Sequence, residues 1–176
     1  MSTINFTPFP ALSTERLDLR QLKNEDDNEI FIMRSDEEIN KYTGIKRAVT
    51  IDDARQYIKK INTFIGNNES IMWGVSLKNN STLIGTICLW NIDAEKKQAE
   101  IGYVLHPTYE KQGIMSEAAM AVIDYGFSGM QLNAIVADLE AGNTASIKLL
   151  ERTGFVYEGQ SEIGVVYVIS NNNIRQ

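Results

Sequence analysis

The junction around Gly113 contains residue types suited to binding an anion. An apolar run ending at Leu105 leads through a polar stretch and Gly113 into a segment rich in Ala, Met, Val and Ile. If that segment is a helix, its first backbone N–H groups lack partners within the helix and, with the helix dipole behind them, attract phosphate. Gly113 would let the backbone approach the ligand, and Lys111 would add positive charge at the rim. A simple turn of the chain is the alternative interpretation.

Few other side chains suggest chemistry. Cys88, the single cysteine, lies in an apolar run, where a buried strand thiol is favoured over a nucleophile. His106, the single histidine, precedes Pro107, which favours a turn residue over an acid or base. One cysteine and one histidine are too few soft ligands for zinc, so no metal is expected. For Trp73 and Trp90, packing in the core is favoured over lining a substrate cleft.

The order of the predicted elements indicates an α/β domain with a mixed sheet. Alternating or continuous apolar residues predict strands at 16–22, 71–77, 83–92, 99–105, 134–137, 155–157 and 164–169. Caps and helical spacing predict helices after Asn24, over 36–42, after Thr50, from Gly113 to Phe127 and over 143–153. Thr50 and Asp53 are typical of a capping box. The strands on either side of the 113–127 helix should be parallel.

Length and charge limit the classes of function. A chain of 176 residues fits one domain, here 1–176, with a polar tail at 170–176. It has no apolar run near the roughly 20 residues of a membrane helix and no signal peptide at its start, so a cytoplasmic protein is expected. The net charge of −6 argues against nucleic acid as a partner and mildly favours a cationic substrate.

Four blocks of the sequence resemble, in order, the GNAT superfamily of N-acetyltransferases. They are FPALSTERLDLRQL, the hairpin with IMWGVSLK and LIGTICLWNID, AEIGYVLHPTYEKQGIMSEA, and NTASIKLLERTGFVYEG. Together they cover a core of about residues 8–169 and are most similar to the branch that acetylates the N-termini of ribosomal proteins. The resemblance implies a single GNAT-like α/β domain. Its sheet would be mixed and mostly antiparallel, with a central splayed pair of parallel strands and helices on both faces.

The resemblance also implies acetyl-CoA as the cosubstrate. Its pantetheine arm would pair with the strand residues Tyr103, Val104 and Leu105. Its pyrophosphate would rest on the loop amides of Gln112, Gly113, Ile114, Met115 and Ser116, with Lys111 at the rim of that loop. This loop departs from the family pattern at Glu110, where the family has Gln or Arg, and at Met115, where it has Gly or Ala.

Asn143 matches an asparagine that bonds the pantetheine arm in the family, and Ser146 lies one helical turn further on. The alternative is that Asn143 only caps the helix and that Ser146 faces solvent. For catalysis, Glu100 matches a glutamate that acts as the base in some relatives, or it is an ordinary solvent-facing carboxylate. The position of the tyrosine acid of many relatives holds Leu150, which leaves Ser146 or water as the acid.

The resemblance therefore predicts direct transfer of an acetyl group from acetyl-CoA to a primary amine. The acceptor would be a protein N-terminus, a polyamine or another small amine, and the protein a monomer or homodimer with no membrane partner. The alternative is a non-catalytic acyl-CoA-binding or regulatory module, which Met115 and the missing tyrosine favour.

Overall fold

Eight strands form one mixed sheet in the computed structural model, which describes residues 4–173. They are β1 (Leu12–Ser13), β2 (Leu17–Arg20), β3 (Ile71–Leu77), β4 (Gly85–Asp93), β5 (Gln98–Leu105), β6 (Ala134–Leu139), β7 (Val156–Gln160) and β8 (Val165–Ser170). Their order across the sheet is β1-β2-β3-β4-β5-β6-β8-β7. Among these strands β5 and β6 run parallel and the other neighbours antiparallel, which confirms the expected mixed sheet with a central parallel pair.

Four α-helices cover this sheet from both sides. They are α1 (Asp27–Ser35), α2 (Ile51–Gly66), α3 (Ile114–Ser128) and α4 (Thr144–Arg152). α1 and α2 form a small apolar cluster on one face through Ile30 and Ile58. α3 and α4 contribute Ala118 and Leu150 to the main core on the other face. The predicted helices on both faces are therefore confirmed.

The start of α2 follows the predicted capping box. The Asp53 N–H donates to the Thr50 hydroxyl at 3.2 Å, and the Asp53 carboxylate accepts from the Thr50 N–H at 2.9 Å. Two backbone donors that a helix start leaves unpaired are thus satisfied by the sequence pair that predicted the start.

The helix predicted over 36–42 is wrong, because this segment is a series of turns. Side chains compete with the helix there. The Asp36 carboxylate accepts from the Ile39 N–H at 2.9 Å, and the Asn40 amide donates to the carbonyls of Met33 and Asp36, each at 2.7 Å. Short polar side chains that bond to nearby backbone in this way favour turns over helices.

Smaller differences occur at both ends of the chain. β1 lies outside the predicted strands, and Asn24 begins a 3-10 turn ahead of α1 instead of capping it. Of the polar tail, Ser170 ends β8 and 171–173 form a 3-10 turn, whereas 174–176 lie outside the described residues. No helix within residues 4–173 is long and apolar enough to cross a membrane.

Candidate active site

A gap opens in the middle of the sheet, between β5 and β6. The two strands pair at three positions only, and the last is Glu100 beside Val136. β5 continues to Leu105 and β6 to Leu139, so their carboxyl ends diverge. The splayed pair predicted by the resemblance is therefore confirmed.

The direction of the β5 backbone decides which groups face this gap. The His106 N–H donates to the Ile84 carbonyl at 2.8 Å, on the β4 side. Because successive residues of a strand present their N–H and C=O groups to opposite sides, Val104 also faces β4, whereas Tyr103 and Leu105 face the gap. Of the three β5 residues predicted to contact the pantetheine arm, two thus offer backbone groups to a ligand in the gap.

The predicted pyrophosphate loop ends at the start of α3. Gly113 precedes the helix in a left-handed conformation with φ 74°, which glycine adopts without strain. The first amide bonded within the helix is that of Glu117, which donates to the Gly113 carbonyl at 3.1 Å. The N–H groups of Gly113 to Ser116 are therefore those that an α-helix leaves unpaired at its start, as an anion site requires.

The two departures of this loop from the family pattern leave its amide face open. Met115 is only 5% exposed and packs in the main core together with Ile114, so its longer side chain points away from the loop surface. Glu110 is exposed, and its backbone N–H closes the 3-10 turn Pro107–Tyr109. Lys111 and Gln112 are exposed as well. The observation that Met115 differs from the family pattern thus no longer supports a non-catalytic module.

Arg16 braces this loop from the β1–β2 turn, which the sequence reasoning missed. Its guanidinium donates to the Gln112 carbonyl at 2.9 Å and to the Glu117 carboxylate at 2.6 Å. Glu117 also accepts from the Thr14 hydroxyl at 2.7 Å and from the Arg16 N–H at 2.9 Å. Burial alone would raise the pKa of Glu117, but these hydrogen bonds lower it overall, so the carboxylate stays ionised.

A second cation lies at the other side of the loop. Arg152, in the last turn of α4, donates to the Ser116 hydroxyl at 3.2 Å. It is exposed, so its charge is free to contribute to the attraction of an anion at the start of α3. No sequence motif marked it, because the contact joins residues 36 positions apart.

The start of α4 adjoins the gap from the core side of the sheet. Asn143 caps the helix, since its side-chain oxygen accepts from the Ser146 N–H at 3.3 Å. Ser146 is half-buried and its carbonyl accepts from the Tyr103 hydroxyl at 3.5 Å. Burial raises the pKa of Tyr103, which keeps the phenol neutral. The cap uses the Asn143 oxygen and leaves its NH₂ group as the part that can reach a ligand.

Glu100 lies on the opposite face of the sheet from Ser146. It is half-buried, and burial raises the pKa of its carboxyl group. A hydrogen bond from the Asn91 amide, at 3.4 Å, opposes this shift, whereas the nearby Asp138 carboxylate adds to it. Glu100 could therefore reach a ligand in the gap from one face of the sheet, and Ser146 could reach it from the other face.

The other residues with reactive side chains have structural roles. Cys88 is a partly buried β4 thiol, and burial raises its pKa to about 12, so it is neutral near pH 7. His106 is the predicted turn residue, because its Nδ1 accepts from the Thr108 N–H at 3.2 Å. Among the described residues no cluster of His, Cys, Asp or Glu could hold a metal ion.

The two tryptophans have different environments. Trp73 is fully buried, as predicted, and donates to the Pro10 carbonyl at 2.8 Å. The prediction for Trp90 is wrong, because its side chain is 46% exposed on the sheet face that carries Glu100. That part of the face lies beyond the area that α1 and α2 cover, which the apolar pattern of β4 did not indicate.

Comparison with known proteins agrees with the fold. The family model described as "Acetyltransferase (GNAT) domain" matches residues 16–156. The chain therefore belongs to the GNAT acetyltransferases and is an acyltransferase, and acetyl-CoA is the cosubstrate of this family.

Three similar proteins illustrate the relationship. An uncharacterized N-acetyltransferase, YoaA of Bacillus subtilis, is 35% identical over 151 residues, which cover 86% of this chain and 85% of that protein. The crystal structure of a GNAT-family acetyltransferase from Bacillus anthracis has a TM-score of 0.80 at 28% identity and covers 93% of this chain and 99% of that one. The ribosomal-protein-serine acetyltransferase of Escherichia coli is 36% identical over 77 residues, 44% of this chain and 43% of that protein. The predicted likeness to the ribosomal-protein branch is thus confirmed.

Proposed function

We propose that this acyltransferase moves the acetyl group of acetyl-CoA directly to a primary amine. The observation that carries the proposal is the gap between β5 and β6, which begins beside Glu100 and whose β5 edge leads toward the amide groups at the start of α3. A ligand that joins an extended, hydrogen-bonding arm to a phosphate group can occupy both the gap and the helix start, and acetyl-CoA has this form.

The donor is bound mainly by backbone groups. Tyr103 and Leu105 pair with the pantetheine arm as a neighbouring strand would, and the amides of Gln112 to Ser116 hold the pyrophosphate. Lys111 supplies positive charge at the rim. The Asn143 NH₂ group bonds the arm from the side of α4.

The amine must lose a proton for the amide to form. At pH 7 an α-amine with a pKa of about 8 is mostly protonated, and a lysine-like amine with a pKa of about 10.4 almost entirely. Glu100, with its raised pKa, first accepts a proton from the ammonium group, and the freed nitrogen lone pair then forms the new N–C bond. As the C–S bond breaks, the nitrogen loses its second proton to water, and the departing thiolate takes a proton from water or from the Ser146 hydroxyl, which water reprotonates.

Transfer proceeds without an acetylated protein intermediate. Cys88 is the single cysteine of the chain, and burial raises its thiol pKa to about 12, which leaves almost no thiolate at pH 7. The amine itself is then the nucleophile.

The proposed acceptor is a primary amine of one of three kinds: a peptide N-terminus, a polyamine or another small amine. A peptide N-terminus agrees with the similarity to a ribosomal-protein-serine acetyltransferase, and a polyamine or another small amine agrees with the negative net charge. A cytoplasmic location and a monomeric or homodimeric state remain predictions from the sequence.

Calorimetric titration of acetyl-CoA into the protein tests donor binding, with two glycine variants as a matched pair. Gly113 and Gly44 both have positive φ, 74° and 62°, so alanine at either costs a similar backbone strain. A Cβ at Gly113 would lie 3.5 Å from the Arg16 guanidinium, whereas Gly44 has open space. Gly113→Ala should raise the Kd about tenfold, or about 1.4 kcal/mol, and Gly44→Ala should leave it unchanged. Absence of binding by the wild-type protein would remove the proposal.

A further inference from the structure

We infer that the open sheet face beside Glu100 is the acceptor site and that it selects a monoamine with an apolar or aromatic group next to its amino-bearing carbon. The inference rests on the proposed function and names the acceptor class. Its basis is a row of side chains that share this face and that neither helix of this face covers.

The strand registers define this row. Trp90 lies opposite Glu100, Glu100 beside Val136, Val136 opposite Val168, and Val168 opposite Val156. The row thus crosses five strands with one carboxylate among four apolar side chains. Cross-strand partners point to the same face, and the residues on either side of them along the strands, such as Ile135 and Ile169, point into the main core.

This row is accessible. Trp90 is 46% exposed and Val156 55%, while Val136 and Val168 are half-buried. The cluster formed by α1 and α2 reaches the sheet only as far as Met72 and Val104. A continuous apolar strip left uncovered next to a polar group is typical of a ligand-binding surface.

The Trp90 indole lies against β5 at Gly102. A Cβ on Gly102 would be 3.7 Å from the indole nitrogen and 3.2 Å from the Cys88 sulfur. Gly102 lies between Glu100 and Val104 on the same face of the strand that borders the gap. The indole therefore covers the part of β5 that an acceptor must pass to reach a thioester in the gap.

The charges on this face suit one ammonium group. Glu100 and Asp138 are the carboxylates along it, two residues apart on neighbouring strands, and Asp138 already accepts from the Ser161 hydroxyl at 2.6 Å. A polyamine carries several ammonium groups along its length. With one of them beside the two carboxylates, the remaining ones would lie over the valines. A monoamine places its ammonium between Glu100 and Asp138 and its apolar group against Trp90.

The turn segment between α1 and α2 closes one side of this surface. The Tyr42 hydroxyl donates to the Gly142 carbonyl at 3.3 Å, so the segment spans from the helices to the loop before α4. On the helix side, Arg34 stacks on the Tyr57 ring at 3.9 Å and donates to the Lys46 carbonyl. This cation opposes binding of further positive charge at that end of the surface.

The test measures CoA release with matched acceptors. One arm compares 2-phenylethylamine with ethylamine, a second compares tripeptides with Phe or Gly at the N-terminus, and a third uses spermidine. The kcat/KM of the aromatic acceptor should exceed that of its matched partner at least tenfold in the first arm, the second arm or both. The arm in which this preference occurs distinguishes free amines from peptide N-termini.

Variants of Trp90 test the assigned role. Trp90→Ala should bring the ratio of kcat/KM between the aromatic acceptor and its matched partner to near one, mainly through KM. It should leave the Kd for acetyl-CoA unchanged. Trp90→Phe should retain most of the preference for the aromatic acceptor. Met120→Ala removes another exposed apolar side chain, on α3, and should change nothing.

Three results would overturn the inference: equal kcat/KM within both pairs, a preference for spermidine, or an unchanged ratio in Trp90→Ala. Failure of every amine to release CoA from a protein that binds acetyl-CoA would instead remove the proposed function.

Discussion

Glu100 lies between two neighbours with opposite effects on its charge. Burial and the Asp138 carboxylate raise the pKa of Glu100, and the Asn91 amide lowers it. A carboxyl group with a raised pKa is a stronger base once it is ionised, and its pH dependence lies closer to neutrality than that of an exposed glutamate.

Glu100→Gln should lower kcat/KM for acetyl transfer about a hundredfold, which is the lower end of the usual contribution of a general base. The wild-type rate should fall as the pH decreases through the Glu100 pKa, since protonation removes the base. This acid limb should be absent in the variant. An unchanged rate at every pH would exclude Glu100 as the base, and unchanged affinity for acetyl-CoA serves as the control.

Neighbouring substitutions should move this acid limb in opposite directions. Asp138→Asn removes a negative charge, lowers the Glu100 pKa and shifts the limb to lower pH. Asn91→Gly removes the hydrogen bond to the charged form, raises the pKa and shifts the limb to higher pH; glycine suits the positive φ of 47° at this position. The position of the acid limb is read from kcat/KM measured against pH. If the limb shifts in the same direction in both variants, Glu100 is not the group that titrates.

Individual residues could be predicted from the sequence only where their neighbours along the chain decide the outcome. His106 was predicted as a turn residue because Pro107 follows it. Trp90 was misplaced because it ends a continuous apolar run, 87–90, in β4, and such a run does not show whether both faces of the strand are covered. The core position of Met115 depends on the packing of α3, which no local pattern shows.

At the scale of elements, the β1–β2 turn fixes the loop at the start of α3. Arg16 and Thr14 bind Glu117 in the first turn of α3, and Arg16 also binds the carbonyl of Gln112. These bonds hold the loop in one conformation before a ligand arrives, and a preorganised site spends less binding energy on ordering itself.

Arg16→Gln should therefore raise the Kd for acetyl-CoA about tenfold, which corresponds to about 1.4 kcal/mol, with a smaller change in kcat. Arg55→Gln is the matched control, because it removes a similar ion pair, Arg55 with Asp27 at 2.8 Å, between α1 and α2. Calorimetry with both variants tests the role. Equal effects on the Kd, or a loss that follows thermal stability alone, would contradict it.

Elements with strong local signals were predicted well. The Thr50 and Asp53 pair marks the start of α2, and Gly113 marks the start of α3. The segment 36–42 was misassigned because the Asp36 carboxylate closes a turn within it and the Asn40 amide bonds to the Met33 carbonyl at the end of α1. The composition of the segment does not reveal the bond to α1.

For the whole molecule, the divergence of β5 and β6 is the feature from which function follows. The order of the elements predicted the parallel pair, since a strand, a helix and a strand in succession form such a crossover. That the pair splays was expected only from the resemblance to the family, and the point where pairing stops, after Glu100 and Val136, is seen only in the structure. No residue of either strand marks the end of the ladder by itself.

The divergence also separates the two candidate catalytic groups. Glu100 faces the open side of the sheet, and Ser146 lies with α4 on the other. A thioester held in the gap could thus receive an amine from one face while its sulfur leaves toward the other, which suits direct transfer between two bound substrates.

One measurement tests this account most directly. The protein is mixed with acetyl-CoA and the amine panel, and mass spectrometry quantifies free CoA, N-acetylated amine and acetylated protein in the same sample. We expect free CoA and N-acetylated amine in equal amounts, with no acetyl group on the protein. Release of CoA without acetylated amine, or an acetyl group retained on the protein and passed on to the amine, would contradict direct transfer.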